Sequence, residues 1–491
     1  MNSVKEQKLE IVVFLTGAIV MVLEILGTRI LSPYFGSSTY TWTSIIGIIM
    51  GSLSLGYYWG GKTADKQASY ETISKILLLT GIYIFGINIG KDILLSFIQS
   101  LWLTLLYKVT IASVAIFTVP SVLLGLITPY AVRIKIDNLK TSGEVVGNLY
   151  AISTLGSIVG TFITGFYLIP QYGISNILTT LSIVTILTSA MNKITKENKA
   201  MIILIFFTHF VIKQIPTMDA KQKDIANIET QYSNVRIYEE KERGTGKAIR
   251  KMKLDNQNAS AMYVDQPTKL QVPYTRYYDL AFYYNYDITK ALAIGGAAYS
   301  YPKSFTERAP NAQLDVVEID PKLTEIATNY FSLDLSKNIS VHHEDARVFL
   351  NSSTDKYDAI FMDAFSSHRT IPAHLTTKEF IENMYNHLTD NGVVVTNTIS
   401  SINGNTSGFF EAEYNTYKAV FPHVFVFKVN TSNNKLIQNI MLVAVKNKDL
   451  PKEISVEAQE MLQSQYLGTI PTHYILTDDY APIESFYRNV E

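Results

Sequence analysis

The chain has 491 residues, 47% of them hydrophobic and 17% charged, with a formal net charge of −1 and no cysteine. That length predicts two or three folding units rather than one. The absence of cysteine excludes disulfides, thiolate metal sites and cysteine nucleophiles, and the near-neutral charge offers no basic stripe to a nucleic acid.

Charged residues are sparse up to about Ile215 and ordinary afterwards, so the two ends of the chain are written for different solvents. A hydrocarbon core ~30 Å thick takes roughly 20 apolar residues of helix. Seven segments answer that description: residues 9–31, 41–59, 73–89, 109–132, 145–170, 175–190 and 199–211. Residues 92–107 are apolar but short and hold Gln99, which predicts an interfacial or re-entrant helix. Lys5, Lys8, Lys62, Lys66, Arg133, Lys135, Lys140, Lys193 and Lys196 fall on one side of that seven-span count, which places the N-terminus in the cytoplasm. Seven crossings then put the C-terminal half outside, whereas an even number returns it inside. The lipid bilayer is thus the first expected partner, and the expected location is the cell membrane, as a multi-pass protein.

Gly47, Gly51, Gly56 and Gly60 in the second span, and Gly147, Gly156, Gly160 and Gly165 in the fifth, recur at helical spacing and predict close helix packing. Pro120 and Pro129 free carbonyls in the fourth span that a neighbour must satisfy. Glu24 falls near the bilayer middle, where a carboxylate is costly. It either pairs with Arg29 or a hydroxyl, or marks a ligand or proton site.

Residues 217–227 read as a polar linker. Short alternating runs at 235–239, 251–254 and 260–264 then predict a small β-sheet module over 228–285. From residue 286 to 491 the pattern turns to βα units, with apolar strands at 291–294, 314–319, 340–342, 359–362 and 393–396 and a helix over 321–330. Such strands imply a parallel sheet covered on both faces, whose ligand lies at the carboxyl ends. Gly295 and Gly296 follow the first strand and let a ligand approach backbone N–H groups. Glu318 ends the second, where a carboxylate can accept both hydroxyls of a ribose. Asp345-Ala346 follows the third, with an acceptor for an adenine amino group and room for the ring, and Asp363 ends the fourth. The plainer reading of these acids is helix capping. His342, His343 and Glu344 are consecutive on a strand and point to alternate faces, so no metal is expected there.

At these residues the chain resembles the spermidine synthase (polyamine aminopropyltransferase) family, in its membrane-fused, transporter/spermidine synthase form. The resemblance rests on Leu-Glu-Ile-Leu-Gly-Thr-Arg at 23–29, on a major-facilitator-like loop at 61–66, and on Val-Glu-Ile-Asp-Pro, Glu-Asp-Ala-Arg, Met-Asp-Ala-Phe and Leu-Thr-Asp-Asp-Tyr-Ala-Pro in the second half. It implies a Rossmann-like, methyltransferase-type domain over 286–491, after the small β-sheet module and an α-helical multi-pass membrane domain over 1–215. It also implies decarboxylated S-adenosylmethionine, or S-adenosylmethionine, as co-substrate, a polyamine as second ligand, and a homodimer. Glu318 then takes the ribose, Asp345 and Ala346 the adenine, and Tyr274 the substrate.

The amine side departs from the family pattern. Ala298 stands where the glycine-rich loop carries an Asp, and the Asp-x-x-Asp motif reads Asp363-Ala-Phe-Ser366, so a serine replaces the second acid. Ser233 and Thr275 also replace expected polar residues. The catalytic candidates are Asp363 and Ser366, with Asp478, Asp479 and Glu484 as acids that can fold over the site. The expected function is aminopropyl transfer to an amine. The alternatives are an S-adenosylmethionine-dependent methyltransferase, or a non-catalytic sensor or transporter of nucleosides or polyamines.

Overall fold

The structure, a computed structural model, describes residues 2–36, 38–136, 142–191, 224–255, 257–365, 370–430, 432–447 and 456–486. It divides into two compact units, Met1–Ala220 and Lys221–Glu491.

The described part of the first unit is helical: α1 (Asn2–Phe35), α2 (Thr39–Gln67), α3 (Tyr70–Gln99), α4 (Leu105–Lys135), α5 (Ser142–Ile163) and α6 (Ile174–Ser189). α5 continues through a π-helical turn at Thr164–Leu168 into a last short turn at Ile169–Gln171. Ser38 and Ser69 cap α2 and α3 by accepting from the Thr41 and Thr72 amides at 3.2 and 3.1 Å. Among the described residues, four helices are long and apolar enough to cross a membrane: Gln7–Phe35, Tyr70–Gln99, Leu105–Lys135 and Ser142–Gln171. α2 has the length but, rich in Gly, Ser and Thr, is not among them, and α6 has only 16 residues. The expected seventh segment, 199–211, lies outside the described residues.

Residues 92–107 do not form a separate interfacial helix. Asp92 to Gln99 are the last two turns of α3, and α4 starts at Leu105. The polar groups that suggested an interface are tied to α1 instead: the Tyr34 hydroxyl donates to Asp92 at 3.0 Å, and Gln99 donates to the Tyr34 carbonyl at 3.0 Å. α4 runs on through both prolines, and the Tyr83 hydroxyl of α3 donates to the Ala115 carbonyl (2.7 Å) about one turn before Pro120.

Helix pairing follows the glycines, but only some of them. Gly156 and Gly160 of α5 abut the Phe14 and Ala18 carbonyls of α1, and Gly56 and Gly60 of α2 abut Val122 and Leu126 of α4. Any β-carbon at Gly156 would overlap the Phe14 carbonyl oxygen. Gly47, Gly51, Gly147 and Gly165 face open space, so the expectation that each whole row packs is corrected: half of each row makes the seam. α3 packs on α6, where Asn88 donates to Ser175 and Thr179 at 3.0 Å. Exchanging α1 with α4, α2 with α5 and α3 with α6 carries the α1–α5 pair onto α4–α2 and leaves α3–α6 in place. The pairing among the described helices is thus symmetric under that exchange. Glu24, half-buried on α1, has no partner among the described residues, and it does not pair with Arg29. Five residues of helix turn Arg29 well away from the Glu24 face.

In the second unit, β1 (Asp224–Glu229), β2 (Asn234–Lys241), β3 (Ala248–Leu254) and β4 (Gln257–Tyr263) form an antiparallel sheet in sequence order. β1 starts inside the stretch read as linker, because alternate residues of Asp-Ile-Ala-Asn-Ile-Glu lie half-buried and exposed along β2. A 3₁₀ segment, Pro273–Asp279, and α7 (Leu280–Tyr284) lead into the larger sheet. Its elements are β5 (Lys290–Ile294), α8 (Ser300–Arg308), β6 (Gln313–Val317), α9 (Pro321–Tyr330), β7 (Ile339–His342), α10 (Ala346–Ser352) and β8 (Tyr357–Met362). α11 (Lys378–Asn386), β9 (Leu388–Ser400), α12 (Gly408–Lys418), β10 (His423–Lys428) and β11 (Gln438–Val445) complete it.

The strand order is β10-β11-β9-β8-β5-β6-β7. β7, β6, β5, β8 and β9 run parallel, and β11 alone is reversed, pairing antiparallel with both β9 and β10. The sheet is therefore mixed rather than wholly parallel. β5 and β8 are buried on both faces, as parallel central strands must be. This is a Rossmann-like, methyltransferase-type fold. Its chain reversal places the carboxyl ends of β5, β6, β7, β8 and β9 along one rim.

Candidate functional site

The rim begins with a strained loop. Gly295 has φ +93°, and a β-carbon there would overlap the Asp363 carbonyl oxygen across the β5–β8 pair. Ala297 and Tyr299 also have positive φ (45° and 54°), so the chain doubles back sharply before α8. The amides of Gly296 and Ala297 both donate to one Glu318 oxygen, at 2.8 and 3.1 Å, and the Asp320 amide donates to the other at 3.0 Å. Glu318 is buried. Burial pushes its carboxyl above the usual range, against the pull of those three amides. A carboxylate offers about four lone-pair sites, so room for a further donor such as a sugar hydroxyl remains.

Asp345 caps α10, accepting from the Arg347 and Val348 amides at 2.8 and 3.2 Å through one oxygen. Its other oxygen meets Nε2 of His374 at 2.8 Å. Burial acts to raise this carboxyl, but the His374 bond and charge together with the two amides outweigh it and hold it low. Asp345 is therefore a helix cap, as the plainer reading expected, with its second oxygen turned to His374. Ala346, beside it, is buried. Tyr232, from the β1–β2 turn, lies within electrostatic reach of Asp320, Glu318 and Asp345, and burial is the first cause of the upward shift of its phenol.

Asp363 sits just past the end of β8. The Tyr274 hydroxyl donates to one of its oxygens and the Asn397 amide to the other, both at 2.9 Å. Asn397 is itself held by Asn439 at 2.9 Å. Burial raises the Asp363 carboxyl, and the bonds from Asn397, Tyr274 and Tyr278 offset part of that rise. The Tyr274 phenol is pushed well up by burial and by the Asp363 charge, so it stays a donor.

The other expected site residues fall elsewhere. Ser366 lies outside the described residues. Ala298 is buried in an apolar cluster with Val235 and Leu323, and Ala297 lines the cavity beside Asp363 instead. The Thr275 hydroxyl is spent on the Val272 carbonyl at 2.7 Å. Asp478 forms a two-pronged pair with Arg347, next to Asp345, and its amide donates to Glu379 at 3.0 Å. Asp479 is exposed. His343 bonds Thr324 at 2.9 Å while His342 faces Asp315, so the two rings diverge.

Asn397, Asn439, His374 and Tyr232 escaped sequence reasoning. Asn397 was within reach of it, since it is the polar residue closing the apolar run of β9, the same signal that singled out Glu318 and Asp363.

Residues 287–454 match the family model for the spermine/spermidine synthase domain. The polyamine aminopropyltransferase of Vibrio vulnificus (strain CMCP6) is 32% identical over 234 residues, covering 44% of this chain and 76% of that protein. Polyamine aminopropyltransferase 2 of Aquifex aeolicus (strain VF5) is 21% identical over 420 residues, covering 79% of this chain and 78% of its own. A solved structure of a probable spermidine synthase from Corynebacterium glutamicum ATCC 13032 aligns with TM-score 0.42 and 22% identity over 53% of this chain and 92% of that one. The chain belongs to the spermidine synthase-like, polyamine aminopropyltransferase family.

Proposed function

We propose that the chain is a membrane-anchored aminopropyltransferase that takes its aminopropyl group from a decarboxylated S-adenosylmethionine-type nucleoside. The observation that carries this reading is the convergence of Glu318, Asp345 and Asp363 on one rim around the Gly295–Gly296 loop. Glu318 holds the ribose, Asp345 accepts from the adenine amino group, and Tyr232 borders both. On the other side, Asp363 orients an acceptor amine. As the amine nitrogen forms its bond to the propyl carbon, the carbon–sulfur bond breaks and methylthioadenosine leaves with the electron pair. Asp363 receives the proton, a role suited to a carboxyl raised by burial. The four long apolar helices supply the anchor, in a cell membrane.

Calorimetric titration of the full chain in detergent with decarboxylated S-adenosylmethionine, S-adenosylmethionine and methylthioadenosine tests the reading. Binding of the decarboxylated form, followed by methylthioadenosine release when an amine is added, supports it. Binding and turnover of S-adenosylmethionine alone would make the chain a methyltransferase instead.

A second reading draws on Glu24, which has no partner among the described residues within an apolar helix. It is that the helical half binds or moves a cation and the soluble half senses the nucleoside. Cation flux into proteoliposomes that is unchanged by Glu24→Gln would remove this reading.

A further inference from the structure

Asp363 is held by two donors of different kinds. One of its oxygens accepts from the Tyr274 hydroxyl and the other from Nδ2 of Asn397, each at 2.9 Å. Tyr274 has a single polar group to offer, whereas the Asn397 amide has two unlike ends. An ionised carboxylate only accepts, so the amide must present its N–H and turn its own oxygen away. That oxygen meets Nδ2 of Asn439 at 2.9 Å. Strand register places Asn439 there: Asn397 on β9 stands opposite Met441 on β11, and Asn439 lies two residues along on the same face. Asn397 is buried, so an amide turned the other way would set oxygen against oxygen at Asp363 and nitrogen against nitrogen at Asn439. The phenols of Tyr274 and Tyr278 from the 3₁₀ segment and of Tyr301 from α8 line the cavity beside Asp363. Burial pushes all three well up, so they stay protonated.

We infer that Asn439 is a positioning residue for the transfer: it holds the Asn397 amide in the orientation that offers N–H to Asp363, and so keeps that carboxylate ready for the proton of an acceptor amine. This rests on the aminopropyl-transfer reading above. Asn439 touches neither the carboxylate nor the reacting atoms, and it acts only by fixing which end of Asn397 faces Asp363. A donor to the ionised form favours that form, whereas an amide oxygen turned toward Asp363 favours the protonated one. The orientation of a buried amide thus sets how readily the base is free at a given pH.

The test follows kcat for methylthioadenosine release against pH, using the full chain in detergent with decarboxylated S-adenosylmethionine and putrescine both saturating. The charges of the donor and of the acceptor are then common to every variant and move no limb of the profile between them. Asn439→Leu removes the N–H and frees Asn397 to turn. Asn439→Asp keeps the shape but, once ionised, only accepts, so it draws the Asn397 N–H to itself and sets the amide oxygen toward Asp363. In both variants Asp363 holds its proton more tightly, and the acid limb moves to higher pH. The expected shift is about one unit or more for Asn439→Asp and a smaller step in the same direction for Asn439→Leu. Nucleoside affinity by calorimetry stays near that of the parent chain, which shows that the fold is kept. A shift in Asn439→Asp alone is the effect of an added charge and overturns the inference. So does a limb unmoved in both, or a loss of nucleoside affinity. Each of these leaves aminopropyl transfer standing, whereas a parent chain that releases no methylthioadenosine overturns the transfer reading and the inference together.

Discussion

The two edges of the rim handle their carboxylates differently. On the edge proposed to hold the nucleoside, Glu318 and Asp345 are engaged by backbone amides and, for Asp345, by a histidine ring, which fix the direction of their oxygens. On the edge proposed to hold the acceptor, Asp363 lies among rings and amide side chains that fix its position through neutral donors. Binding chemistry needs carboxylates that stay ionised and directed, whereas proton transfer needs one whose affinity for a proton has been raised. Burial is present on both edges. It raises Glu318 as well as Asp363, each against three donors, so what separates the edges is Asp345, which its bond to His374 and two backbone amides hold low.

The sharpest way to break this comparison is Asp363→Asn. The substitution keeps the shape and one acceptor but removes the base. Turnover is expected to fall by about 10²–10⁴-fold while nucleoside affinity stays near that of the parent chain. A loss of nucleoside affinity of the same size would mean that the two edges are one site.

Next in size is the nucleoside edge. Asp345→Ala removes an acceptor and a helix cap together, and an affinity loss of about 1–3 kcal/mol, roughly fivefold to 150-fold, is expected by calorimetry. Asp345→Asn retains a capping oxygen for the Arg347 and Val348 amides. If both variants lose affinity equally, the charge matters and the cap does not.

A third measurement asks what burial does to an acid with almost no donors. Glu413 of α12 is buried, and its one hydrogen-bond donor among the described residues is the Thr398 hydroxyl at 2.5 Å; burial pushes its carboxyl to about 8. Its folded pKa is raised above the ordinary 4.5, so its stabilising contribution is complete below 4.5 and is lost as pH climbs through about 8. Thermal unfolding followed by near-ultraviolet circular dichroism should show the parent losing stability across that window. Glu413→Gln, which mimics the protonated acid, should flatten the fall and raise the midpoint at the alkaline end by a few degrees, roughly what 1 kcal/mol gives.

How far this site was legible in the sequence depends on how local each signal is. Glu318 and Asp363 stand directly after an apolar strand and Asp345 three residues past one, and the strand pattern alone put them on one rim. His374 reaches Asp345 across 29 residues, and Asn439 reaches Asn397 across 42, from the antiparallel strand that the βα pattern did not foresee. Nothing local marks such pairs. The helical half reads the same way. Its apolar runs announce the helices, but hydropathy did not show that Asp92 and Gln99 bond Tyr34 and so belong to α3. Glycine spacing showed which faces pack but not that only half of each row touches a neighbour.

The smallest expected effect bears on where the rim divides. Asp478 comes from the C-terminal motif and, as an acid near the end of the chain, invites a role beside Asp363. Its side chain instead grips Arg347, the residue two past Asp345, and the Arg347 guanidinium also donates to the His374 carbonyl at 3.2 Å. Under the proposed function, Asp478 would act on the nucleoside edge at second hand, by steadying the arginine that bonds the His374 carbonyl. Its side chain is 44% exposed, and a pair that open to water is worth about 0.2–1 kcal/mol. Asp478→Ala should therefore weaken nucleoside binding by no more than about fivefold, and turnover at saturating nucleoside should stay unchanged. Arg347→Ala should cost more, because it removes the support of His374 as well. Were Asp478→Ala to cut turnover as deeply as Asp363→Asn with binding intact, Asp478 would be an acid of the acceptor edge. The assignment of proton transfer on that edge to Asp363 alone would then fall.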